Sequence, residues 1–160
     1  MNESDVMKDE NTTSPLTRQE YLARIMQDSI QLANLKLDPD KHEVFKAFID
    51  TAINGDIINT YLVTDANVRT GKGVAIYVLT NVRLIQFSIL LDPKPLIDSA
   101  SFLLSSMMGI ERKLLEDGRI ELLVNFGDKS PVTGIRYSTE KKEITAFFQL
   151  LEKTWVERNR

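Results

Sequence analysis

The chain has 160 residues, of which 42% are hydrophobic and 27% charged; it contains no cysteine and carries a net charge of −3. This length supports one folded core without disulfides or metal, and the balance excludes a wholly disordered, collagenous or disulfide-rich protein. Lack of sulfur nucleophiles removes thiolate catalysis and thiolate zinc sites and fits an intracellular setting.

Residues 1–13 hold four acids and one base, so the acidic excess lies in this leader and the rest of the chain is neutral overall. They are polar and aperiodic and read as a disordered acidic leader. A secretory signal would need a basic start and an apolar run where Glu3, Asp5, Asp9 and Glu10 stand. From Ser14 the pattern becomes helical. Ser14 and Pro15 suit a cap and first turn, Thr17 and Glu20 have capping-box spacing, and Leu22, Ile25, Met26 and Ile30 recur at helical intervals, predicting a helix over 16–34. Asp38 and Pro39 start a second helix carrying Phe45, Phe48, Ile49 and Ile53, which Asn54 and Gly55 stop. These two helices make up a segment at 14–55.

All seven glycines lie at or beyond position 55, where the apolar period shifts towards 2. Strands are predicted over 57–63, 74–80, 83–90, 99–103, 109–115, 119–126 and 132–137, mostly in meander order. The Asp117-Gly118 pair tolerates the positive φ of a tight hairpin turn. The apolar run at 84–91 is eight residues long and broken by Gln86 and Ser88, whereas a membrane-spanning helix needs roughly 20. A last helix over 139–157, capped by Ser138 or Thr139, carries Ile144, Phe147, Phe148, Leu151 and Trp155 on one stripe. Such a stripe must cover something, and a small bent barrel of seven antiparallel strands leaves an open end for it.

Over residues 56–156 this arrangement resembles the bacterial pleckstrin-homology-like domains, relatives in shape of the pleckstrin-homology and GRAM domains. The resemblance rests on Leu79-Thr80-Asn81-Val82-Arg83-Leu84-Ile85, similar to that family's strand-turn-strand motif, on residues 101–107, and on the aromatic terminal helix. Where the family has Pro and then Ile in the second motif, this chain has Leu103 and Met107. The resemblance implies an α+β fold, a seven-stranded antiparallel barrel capped by a C-terminal helix over 56–160. It also implies a binding scaffold without catalytic activity, and a structural role for Arg83. Phosphoinositide-binding relatives carry a basic run across the first hairpin; here that hairpin offers Arg69 and Lys72 alone, an incomplete donor set for a phosphorylated headgroup.

The residues themselves offer little chemistry. Residues 66–73 come close to a phosphate-binding loop, but the Ser or Thr after Lys72 is missing and a strand follows where a helix is required. His42 is the single histidine; with Asp38, Asp40 and Glu43 it sits in the first turn of a helix, where acids complement the dipole. Ser105 and Ser106 have no nucleophile elbow, and Glu116 and Asp117 sit on a hairpin tip. No enzyme, cofactor, metal or small-molecule substrate is therefore expected. A neutral body with mixed signs argues against nucleic-acid binding and leaves only weak membrane contact. The leading helices either pack on the barrel wall or serve self-association or a protein partner. The expectation is a cytoplasmic module for protein interaction or self-assembly, with Phe45 and Phe48 as possible partner contacts. Phospholipid binding through Arg69 and Lys72 is the alternative.

Overall fold

A computed structural model describes residues 16–33, 37–65, 73–90, 95–127, 133–137 and 142–158. Helix α1 (Arg18–Ala33) starts at a reciprocal capping box: the Thr17 amide donates to Glu20 Oε1 at 2.9 Å, and the Glu20 amide donates to Thr17 Oγ1 at 3.1 Å. The bond from the Thr17 backbone holds the Glu20 carboxyl below its usual range. Leu22, Ile25, Met26 and Ser29 form the buried stripe, and the Ser29 hydroxyl satisfies itself on the Ile25 carbonyl at 2.7 Å. Helix α2 (Pro39–Ile53) begins with Pro39 after Asp38, whose carboxylate accepts the Lys41 amide at 2.7 Å, and it buries Phe45, Ile49 and Ile53. It ends where Asn54 takes φ 56°, a left-handed value that asparagine tolerates. The proposed caps at Ser14, Pro15, Ser138 and Thr139 lie outside the described residues.

Strands β1 (Ile58–Asp65), β2 (Gly73–Thr80), β3 (Arg83–Leu90) and β4 (Leu96–Leu103) form one antiparallel sheet in the order β1-β2-β3-β4. Strands β5 (Gly109–Leu114), β6 (Ile120–Asn125) and β7 (Thr133–Tyr137) form a second antiparallel sheet, and helix α3 (Lys142–Arg158) follows. The molecule is thus α+β with two antiparallel sheets. Among the described residues no strand pairing joins them, so the expected closed barrel is replaced by two open sheets. At one corner a 3₁₀ turn, Leu104–Ser106, closed by the Met107 amide on the Leu104 carbonyl at 3.1 Å, takes the chain out of the first sheet before β5 begins. Strand β4 also starts earlier than the sequence pattern indicated. Leu96, Ile97 and Asp98 pair with Leu90, Ile89 and Ser88 and complete eight matched pairs.

The first sheet is covered on both faces. Strand β2 is buried along nearly its whole length, which explains why residues 74–80 read as a continuous apolar run rather than an alternation. Val74, Ile76, Val78, Ile85, Phe87 and Ile89 face α1 and α2, where they meet Ile25, Met26, Phe45, Ile49 and Ile53. The leading helices therefore pack on the sheet. On the opposite face, Leu62, Tyr77, Leu79 and Leu84 share a second core with Leu122, Val124 and Ile135 of the other sheet and with Phe147, Phe148 and Leu151 of α3. The last helix is the third wall of this second core. Its two phenylalanines meet edge to face at 5.5 Å.

Replacing Phe148 by Ala leaves a cavity in that core and should cost about 3–5 kcal/mol in a urea titration. A loss below 1 kcal/mol would show that α3 does not complete it. Burial, aided by the Glu121 carboxylate, pushes the Tyr77 phenol from 10.0 up to about 12. A group raised in the folded state contributes stability that is intact below its unfolded pKa and disappears as pH climbs through the folded value. The wild type should thus lose on the order of 2–3 kcal/mol between about pH 10 and pH 12 that Tyr77→Phe does not lose, measured as the difference between their alkaline denaturation curves.

Candidate binding site

Arg83 fixes the first sheet to the helical hairpin. Its Nε pairs with Asp56 Oδ2 at 2.7 Å, and its Nη2 donates to the carbonyls of Ala52 and Ile53, both at 2.9 Å. These are carbonyls at the end of α2 that the helix itself leaves without partners. Arg18 treats the same end alike, pairing with Asp50 Oδ1 at 2.6 Å and donating to the Asp50 carbonyl at 2.7 Å. Two cations at a helix C-terminus also match its dipole. Thr80, fully buried, donates to Asp56 Oδ2 at 2.9 Å and accepts the Arg83 amide at 2.8 Å. Asn81 completes the clasp by exchanging bonds with Ile57, Nδ2 aside: its Oδ1 accepts the Ile57 amide and its amide reaches the Ile57 carbonyl, both at 3.0 Å. The Thr-Asn-Val-Arg turn is therefore a structural clasp, which accounts for Arg83 without any ligand.

A cleft of about 750 Å³ opens at the β1 edge of the sheet, between α1, strand β1 and Ala146 of α3. This volume falls within the range of ligand sites. Tyr21, Arg24, Asp28 and Gln31 line it from α1, while Thr60, Tyr61 and Val63 line it from β1. The Tyr61 hydroxyl donates to Asp28 Oδ2 at 2.6 Å, and the Tyr21 hydroxyl donates to the Asn59 carbonyl at 3.2 Å. Their rings meet edge to face at 6.2 Å. Partial burial raises the Tyr21 phenol above its ordinary value. Arg24 and Gln31 are exposed and offer donors towards the opening. Strand β1 is an edge strand that pairs with β2 alone among the described residues, so the cleft runs along a sheet edge. The arrangement combines rings, donors and main chain, which suits binding.

The residues singled out from sequence do not converge here. Arg69 and Lys72 lie outside the described residues. Phe45 is 4% exposed within the first core, which corrects its assignment as a partner contact: its position on α2 faces the sheet. Phe48 stands at the rim of α2, 37% exposed, with its ring against Phe87 at 6.3 Å. His42 sits in the first turn of α2 beside Glu43, at 3.2 Å. Among the described residues no group of three or more histidines or carboxylates is placed to hold a metal ion. The cleft residues were missed because Tyr21, Arg24, Asp28 and Gln31 border the apolar stripe of α1 and read as an ordinary solvated face. No family model, curated protein or solved structure matches the chain.

If Arg83 and Asp56 hold the clasp together, Arg83→Met should cost about 3–5 kcal/mol, because it strands a mostly buried carboxylate. Adding Asp56→Asn to that variant should restore part of the loss. Equal and additive losses in chemical denaturation would show that the two side chains do not act as a pair.

Proposed function

We propose that this chain is a non-catalytic, pleckstrin-homology-like binding module of the cytoplasm, and that its cleft takes an extended segment of a partner protein. The observation that carries this reading is the cleft between α1 and β1, an edge strand that pairs with β2 alone among the described residues. An incoming strand gains main-chain pairing at such an edge, while the flanking walls select side chains. Arg24 favours an acidic residue on the segment, and the Tyr21 and Tyr61 rings favour an apolar or aromatic one. The motif at 79–85, placed as the β2–β3 turn, and the aromatic helix between the sheets support the pleckstrin-homology-like assignment. In that reading the two sheets and α3 are an opened form of the family's capped barrel. The described helices include none long and apolar enough to cross a membrane. Lipid binding rests on Arg69 and Lys72 and gains nothing from the cleft.

Extended peptides selected from a random library against the full chain test the reading. They should lose at least about tenfold in affinity for the Arg24→Glu/Gln31→Trp variant, whose substituted positions are exposed and whose melting temperature should be unchanged. Backbone N-methylation of the same peptides should abolish binding, since it removes the main-chain donors. Equal affinity for both proteins, or indifference to N-methylation, would reject strand addition at β1.

A further inference from the structure

Among the described residues the first sheet has a second edge strand, β4, and it differs from the other edge strands. Natural edges are protected by bulges, proline, lysine or a covering element. Strand β1 shifts register between Ile58 and Thr60 and lies between α1 and α3. Strand β5 exposes Glu111, Arg112 and Lys113, and the described part of β7 is five residues long. Among the described residues, strand β4 has none of these devices. It pairs with β3 over eight residues without a shift, contains no Lys, Arg, Pro or Gly, and has a single charge, Asp98. Leu96 and Leu103 at its ends are 49% and 54% exposed.

We infer that β4 pairs with β4 of a second copy, antiparallel about a two-fold axis at Ala100, joining two four-stranded sheets into one of eight strands. On the face that carries the helices the strand is self-complementary in this register, while on the other face Asp98 falls opposite Phe102. Ile97 of one copy falls opposite Leu103 of the other, Ser99 opposite Ser101, and Ala100 opposite itself. Apolar meets apolar and hydroxyl meets hydroxyl on the face that carries the helices, as cross-strand pairing favours. Charge disfavours the registers centred nearer Asp98. About Ala100 the two Asp98 side chains are four residues apart along the ladder, about 14 Å, beyond the screening length of about 8 Å at physiological salt. Centring on Ser99 brings them to about 7 Å, and centring on Asp98 sets them face to face.

The helical layer agrees with this geometry. Helix α2 stops short of β4, where Phe48 rests on Phe87 and Val44 is 61% exposed, and the floor beyond it is the small residues Ser99 and Ser101. Two copies would bring two such rims to face each other across the joined strands. A contact about 27 Å long and two layers deep covers roughly 500 Å² per copy, below the roughly 800 Å² of a standard stable interface. The dimer is thus weak and concentration-dependent. It leaves the β1 cleft free and does not depend on what that cleft binds.

Sedimentation of the full chain from about 5 to about 500 µM should show reversible dimerisation, weakened at least about tenfold by Ala100→Lys, which sets two cations opposite each other at the axis. Because the chain has no cysteine, a thiol introduced by Ala100→Cys reports on its own symmetry mate. It should form a disulfide-linked dimer on mild oxidation, whereas Asp98→Cys, too far from its mate, should not. A chain that stays monomeric throughout, a dimer indifferent to Ala100→Lys, or equal cross-linking from both thiols would overturn the proposal. Peptide binding in the β1 cleft should persist in folded Ala100→Lys, so the two readings fail separately.

Discussion

The contact between the Arg83 guanidinium and the end of α2 decides how the molecule is assembled. A helix C-terminus leaves carbonyls without partners, and burying them against a sheet carries a desolvation penalty unless donors are supplied. Arg83 reaches two of those carbonyls and the Asp56 carboxylate from a single planar fork, a geometry that lysine cannot reproduce. Arg18 brings α1 to the same point. Both leading helices and the β2–β3 turn are thereby tied at one polar junction, and the apolar surfaces of α1 and α2 are directed onto the sheet. Hydrophobic burial is non-directional; this junction supplies the direction.

The result is a layered arrangement in which one sheet serves two cores. Alternation along β2 and β3 sends Ile76, Val78, Ile85 and Phe87 to the helical hairpin, and Tyr77, Leu79 and Leu84 to the second sheet and α3. The central strands can gain nothing more from partners, having both faces and both edges occupied. Recognition is left to the margins, where β1 borders a polar cleft and β4 borders solvent. The fold thus separates stability, held in β2 and β3, from the surfaces available for binding.

Much of this architecture was legible in the residues. Thr17 with Glu20, Asp38 with Pro39, and Asn54 are local signals whose energetics involve neighbours in sequence, and they mark the helix ends that the structure shows. The β3 limits were likewise plain, because turn residues bound an apolar run. The beginning of β4 was not, since Asp98, Ser99 and Ala100 lack strand propensity and are held by pairing with β3, a tertiary effect. Nor did the sequence reveal that α1 and α2 cover the first sheet; amphipathicity states that a face must be buried, without saying against what. The cleft was least accessible of all. Tyr21 and Asp28 meet Tyr61 and Asn59 only after the chain has returned from α1 to β1, across more than thirty residues that carry no motif for the encounter.

The division into two cores also has a temporal side. The first core draws only on residues from Tyr21 to Ile97, a continuous stretch, whereas the second extends from Leu62 to Trp155 and depends on the last helix. During synthesis from the N-terminus, the hairpin and the first sheet can close while the remainder is still being made. The inner face with Leu62, Tyr77, Leu79 and Leu84 then stays bare until Phe147, Phe148 and Leu151 arrive. A ribosome stalled before α3 would therefore display a folded half with an adhesive apolar surface, the kind of intermediate that chaperones engage.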